Sequence, residues 1–144
     1  MFVGVKLINL KKHKDERGFF QEIFRFQEQF SNISVGQISH SKVNKDIIKC
    51  WHGHVYQFQW NYVINGEIKV ALIDTREKSS IKNNKIEFVA NNRIAYFFPP
   101  GVFHGYKCTE GPMNIIYVTS GVYDLKDELR KTNGDLNIDY SWGN

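Results

Sequence analysis

The chain has 144 residues, which is room for one domain and one hydrophobic core. Hydrophobic residues make up 42% and charged residues 24%, so an intrinsically disordered chain is excluded. The net charge of +4 is interleaved with acids instead of forming a basic stripe, which argues against a nucleic-acid binder and suits a phosphate-bearing small molecule.

An aromatic share of 15% favours pleated, half-buried surfaces. Strand-like stretches are expected at 18–26, 34–41, 47–51, 60–64, 68–73, 86–89, 94–98 and 113–119. They are separated by the breakers Asn65-Gly66, Asn83-Asn84, Asn91-Asn92, Pro99-Pro100-Gly101 and Gly111-Pro112. Asn65-Gly66 lies between two alternating apolar runs and predicts a hairpin, because both residues tolerate the positive φ of a type I′ turn. Helix signals are confined to a turn near 26–30 and to 126–131, where Asp124 is placed to cap. The pattern is all-β, a single domain over 1–144, with one minor C-terminal helix. Many short strands with frequent turns indicate a sandwich or a closed barrel.

Cys50 and Cys108 are too few for a disulfide framework and read as buried free thiols in a reducing compartment. The N-terminal segment has no charged leader followed by a long apolar run, and no stretch is long enough to span a bilayer. A cytoplasmic protein without membrane partners is expected.

Three of the five histidines fall in two short segments. In the first, His52 and His54 point to one face of a strand, since side chains alternate with period two. Gln59 has the opposite parity and joins them only if a turn intervenes. In the second, Pro99-x-Gly101-x-x-His104 sets a tight turn just before a histidine. The two segments resemble the paired signatures of the cupin superfamily, HxH with an acid and Gly, then PxGxxH. Gln59 replaces the acid, and Asp46 stands where a glycine is usual. The resemblance implies a double-stranded β-barrel, or jelly roll. Three histidines and an acid suit a divalent metal, but a neutral Gln59 is a weaker ligand, which favours metal-free acid–base work.

A longer series resembles the dTDP-4-dehydrorhamnose 3,5-epimerase family of nucleotide-sugar cupins. It runs through Asp15-Glu16-Arg17-Gly18-Phe19-Phe20-Gln21-Glu22, Gln37-Ile38-Ser39-His40-Ser41 and Ile48-Lys49-Cys50-Trp51-His52. It continues with Gly66 and Asp74-x-Arg76, then Pro99-Pro100-Gly101-Val102-Phe103-His104-Gly105, Tyr117-x-Thr119 with Tyr123, and Asp135-Leu136-Asn137-Ile138. The resemblance implies an enzyme without metal or cofactor, epimerising C3 and/or C5 of a nucleotide-diphosphate 4-keto-6-deoxysugar for O-antigen-type polysaccharides. It makes His52 the base and Tyr123 the acid. It places Arg17, Lys49 and His104 at the phosphates, Gln37 among the substrate contacts, and Phe20 and Glu22 on the nucleotide of a neighbouring subunit in a homodimer.

Departures accompany the match. Gln59 stands where the family has an enolate-stabilising lysine, and the C-terminal aspartate that orients the family's histidine falls at Asn133 or Asp135, between which the match does not choose. In addition, His52-Gly53-His54-x-x-x-x-Gln59 resembles the HAHxxxxQ segment of dTDP-4-oxo-6-deoxyglucose 3,4-ketoisomerases, in which His54 would share the proton shuttle. A metal-dependent cupin and a non-catalytic sugar-nucleotide binding module are the remaining alternatives.

Overall fold

The computed structural model describes residues 3–78 and 84–143. The strands are β1 (Lys6–Asn9), β2 (Lys12–Asp15), β3 (Gly18–Gln21), β4 (Gln37–Val43), β5 (Ile48–His54), β6 (Gln59–Asp74), β7 (Lys85–Ala90), β8 (Ile94–Phe98), β9 (Val102–Thr119) and β10 (Glu128–Arg130). One helical turn, α1 (Phe26–Gln29), falls where the sequence predicts it, and no helix among the described residues is long and apolar enough to cross a membrane. β2 and β3 form a separate hairpin. The other eight strands make one antiparallel sheet ordered β1-β8-β6-β9-β5-β10, with β4 added to β9 and β7 to β6.

Two long strands form the spine. β6 pairs with β9 along nearly its whole length, from Gln59 opposite Thr119 to Asp74 opposite Val102. The other edge of β6 takes β8 and then β7, while the other edge of β9 takes β5 and then β4. Val63, Ile68, Val70 and Leu72 of β6 share one core with Val43, Phe98, Cys108, Met113 and Ile115 from the flanking strands. Both halves of the bent sheet therefore face the same interior, the arrangement of a double-stranded barrel.

Asn65-Gly66 does not close a hairpin. It is an irregularity inside β6, where the register against β9 shifts between Val63 and Ile68. Before it, Val63 faces the core and Trp60 packs on the outside against Phe30 and Phe97; after it, Ile68, Val70 and Leu72 face the core. The buried set thus changes from odd to even positions, as a bulge dictates when one residue drops out of a period-two pattern. β9 makes the matching change between Cys108 and Met113, so Gly111-Pro112 also lies within a strand. The pair Asn65-Gly66 carries the positive φ that the sequence signal promised, +81° at Gly66, yet uses it to bend one strand. Asp46 has φ +68°, the backbone of the glycine it replaces.

The helix expected over 126–131 is absent. Asp124 does cap one turn, its Oδ1 accepting from Lys126 N at 2.9 Å, but the chain then straightens into β10. The open edge of β5 offers ladder bonds to 128–130, whereas a six-residue helix has to meet its nucleation cost alone. The tail beyond covers the outer face, packing Leu136 and Tyr140 on Trp51, Ile73 and Phe103. Cys108 is buried as expected, but Cys50 is exposed. Of the Asn83-Asn84 turn, Asn83 lies outside the described residues.

A methyl group at position 66 would meet Glu110 O and Met113 Cβ at 2.5 Å, on a backbone that L-residues disfavour. Gly66→Ala is therefore expected to lower stability by about 2–4 kcal/mol in urea unfolding, and a loss under about 0.5 kcal/mol would contradict the packing described.

Candidate active site

Inside the barrel lies a cavity of about 540 Å³. Its wall is built by alternation: Gln37 and Ser39 on β4, His52 and His54 on β5, Gln59 and Asn61 on β6, His104 and Tyr106 on β9, then Tyr117 and Thr119 further along β9. The loop at 55–58 between β5 and β6 supplies the break that lets Gln59 face the same way as the histidines.

His52 is the histidine with a usable face. Its Nε2 lies 2.8 Å from Glu128 Oε1, and about a third of the side chain is open. Burial depresses its pKa below the ordinary 6.5; the hydrogen bond it donates to Glu128 works the other way without cancelling it. Glu128 is held below its own usual range although burial opposes ionisation, because Arg130 and His52 both bond to its carboxylate. An ionised carboxylate can only accept, so Nε2 carries the hydrogen and Nδ1 keeps a lone pair. The result is a neutral, oriented base.

His54 is 8% exposed and fully engaged. Nδ1 lies 2.7 Å from Asp127 Oδ2, and Nε2 lies 2.7 Å from Gln59 Oε1. Both ring nitrogens are thus engaged within the protein. Asp127 also accepts from the backbone N–H of Tyr56 and Gln57, and these bonds with His54 lower its pKa against the opposing effect of burial. Gln59 Nε2 in turn donates to Asn61 Oδ1 at 2.8 Å.

His104 lies below both. Its ring centroid is 5.2 Å from that of His52, 6.0 Å from that of His54 and 4.5 Å from that of Phe98. Burial, then the neighbouring histidines, push its pKa well below 6.5, and its Nδ1 has no partner among the described residues. His104 lines the cavity, and a neutral ring there holds a phosphate less strongly than a cation does. Among the described residues no group of three or more His, Cys, Asp or Glu side chains is arranged to hold a metal.

The residue that holds His52 is Glu128 rather than Asp135 or Asn133. Asp135 accepts from Thr132 N and Oγ1 at 2.8 and 3.0 Å, and Asn133 Oδ1 accepts from Trp51 Nε1 at 2.7 Å. The cause is β10: its pairing opposite His52–His54 delivers Glu128 diagonally to His52, and Asp127 just ahead of it to His54. Reading 126–131 as a helix hid both acids. Tyr123 stands on the cavity rim, 66% exposed, with its N–H donating to Gln37 Oε1 at 2.9 Å. Lys49 is on the same rim, joined by Arg130 and Lys131, cations the sequence reading passed over. Arg17, Phe20 and Glu22 are exposed on or beside the β2–β3 hairpin and do not line this cavity; Arg17 pairs with Asp15 on that hairpin.

A barrel with carboxylate-held histidines in its interior defines a cupin. The whole chain, residues 1–144, matches the dTDP-4-dehydrorhamnose 3,5-epimerase family, and it belongs to that family of sugar-nucleotide epimerases. It is 37% identical to the spore coat polysaccharide biosynthesis protein SpsL of Bacillus subtilis over 99% of this chain and 97% of that protein. It is 28% identical to a dTDP-4-dehydrorhamnose 3,5-epimerase of Neisseria gonorrhoeae over 96% of this chain but only 44% of that one. Among solved structures, the fold superposes with a TM-score of 0.89 on NovW, a 4-keto-6-deoxy sugar epimerase of Streptomyces spheroides, at 20% identity over 99% of this chain and 76% of that one.

The geometry fixes a titration. Followed by NMR, His52 is expected to change charge below pH 6.5, and Glu128→Gln is expected to lower the midpoint further, since the carboxylate is what raises it. A midpoint that rises in Glu128→Gln would contradict the pairing.

Proposed function

We propose that this chain is a metal-independent epimerase acting at C3 and/or C5 of a nucleotide-linked 4-keto-6-deoxyhexose, in the making of a deoxysugar for surface polysaccharide. The observation that carries the reading is the His52–Glu128 pair, a neutral base inside a cavity large enough for a sugar. A hydrogen on carbon beside a ketone is acidified by the carbonyl, and a base poised near neutral pH removes it. His52 Nδ1 takes that proton, and the positive charge that develops is matched by Glu128. The electron pair moves onto the C4 oxygen as an enolate. Tyr123, on the rim of the same cavity, returns a proton to the opposite face of the ring, inverting the centre.

The diphosphate lies toward Lys49, Arg130 and Lys131 at the mouth, where an exposed cation meets the phosphate without being desolvated first. Gln37 positions the Tyr123 backbone. The β2–β3 hairpin presents Phe20, 63% exposed, with Arg17 and Glu22 away from their own cavity. That placement supports a homodimer in which each hairpin reaches the partner's nucleotide.

A second reading has a specific observation behind it. His52 and His54 have ring centroids 5.3 Å apart and a carboxylate each, which is the equipment for moving a ketone from C4 to C3. Against it, both nitrogens of His54 are engaged within the protein, and only His52 has a free one.

Incubation with dTDP-4-keto-6-deoxyglucose in D2O separates the two. Epimerisation places deuterium at C3 or C5 with the ketone still at C4; a ketone found at C3 would sink the proposal, as would no exchange at all. His52→Asn is expected to slow exchange by roughly 10²–10⁴-fold. Tyr123→Phe is expected to retain exchange on the face of His52 while losing inversion, read by NMR of the recovered sugar. Equal loss of both in Tyr123→Phe would remove Tyr123 from the role of acid.

A further inference from the structure

We propose that the side-chain amide of Asn61 is the donor that holds the C4 oxygen as the enolate forms, an inference that rests on the epimerase reading above. Asn61 is 1% exposed and lines the cavity, yet its Nδ2 has no hydrogen-bond partner among the described residues. No protein group accepts from this N–H among the described residues, so it is available to an acceptor that enters the cavity.

The amide is not free to turn. Asp127 holds His54, His54 Nε2 faces Gln59 Oε1, and Gln59 Nε2 donates to Asn61 Oδ1. This relay fixes the Asn61 oxygen on Gln59 and turns the NH2 group away from it. The acid end of the relay is anchored by the backbone N–H of Tyr56 and Gln57, so the whole line is set before a ligand enters. Gln59 itself has its oxygen and one hydrogen of its amide engaged in the line.

Position on the sheet gives Asn61 access to the reacting centre. It follows Gln59 on the inward face of β6 and sits opposite Tyr96 of β8 and Tyr117 of β9, both cavity residues. Negative charge on an enolate oxygen in a cavity is stabilised most by a donor that needs no reorganisation when the charge appears. A neutral amide fixed by a relay is such a donor. It strengthens its bond as the oxygen becomes anionic. The engaged His54 then belongs to the relay, as a positioning residue for Asn61.

The test uses the whole protein with dTDP-4-keto-6-deoxyglucose in D2O, and dTDP alone as the binding probe. Wild type is expected to exchange; absence of exchange there overturns the epimerase reading and this proposal with it. With wild type active, Asn61→Leu is expected to lose at least about 100-fold in kcat, with KM within about threefold and the thermal shift on dTDP retained. A kcat within about threefold of wild type would overturn the Asn61 assignment alone. Should Asn61→Leu fold poorly, Asn61→Asp decides. It keeps the acceptor for Gln59 and gains a donor only when protonated, so its rate relative to wild type is expected to climb as pH falls from about 8 to about 6. A flat ratio would overturn the proposal.

Discussion

Everything in the cavity depends on a three-residue strand, β10, adding to the edge of β5. Without it His52 and His54 would sit on an open sheet edge with no carboxylate to orient their rings. The ladder of Glu128, Leu129 and Arg130 against His54, Gly53 and His52 brings two carboxylates within 2.8 Å of two histidines. Leu129 on the intervening position packs on the outer aromatic cluster of Trp51 and Tyr140, which ties the register of the ladder to an apolar contact. The same short element therefore joins stability to chemistry. Removing one carboxylate while leaving its histidine would strand a buried polar group, which costs more than the pair contributes.

The two pairs are arranged for different work. His52 keeps an exposed edge and a lone pair, and its carboxylate is shared with Arg130 near solvent. His54 is enclosed, its partner Asp127 is 2% exposed, and its second nitrogen continues through Gln59 to Asn61. In the proposed reaction one pair moves a proton and the other holds a line of dipoles still. Because hydrogen-bonded groups in such a line polarise one another, the second pair is suited to presetting a donor rather than to turning over.

Much of this was legible before any coordinates. The HxH and PxGxxH segments foretold the barrel, and the helical turn at 26–29, strand 94–98 and the turn at Pro99-Pro100-Gly101 lie where residue chemistry puts them. Asn65-Gly66 misled because a left-handed backbone serves a bulge as well as a hairpin. Local sequence does not say whether the flanking strands fold back on each other or continue side by side with a third. Residues 126–131 misled for a tertiary reason, since the edge that captures β10 lies more than seventy residues upstream. The error concealed Asp127 and Glu128, and with them the carboxylates that hold His54 and His52. Asn61 gave no signal: an asparagine two positions after a glutamine acquires meaning only when both face one cavity.

The central claim is that His52, held by Glu128, takes the proton beside the ketone. The most direct measurement is the rate of deuterium entry at C3 or C5 for wild type and Glu128→Gln across pH, with dTDP affinity followed in parallel. The account predicts a rate roughly 10²–10³-fold lower in Glu128→Gln at neutral pH, with nucleotide affinity unchanged and the acid limb displaced to lower pH. An undiminished rate, or an acid limb displaced upward, would contradict it.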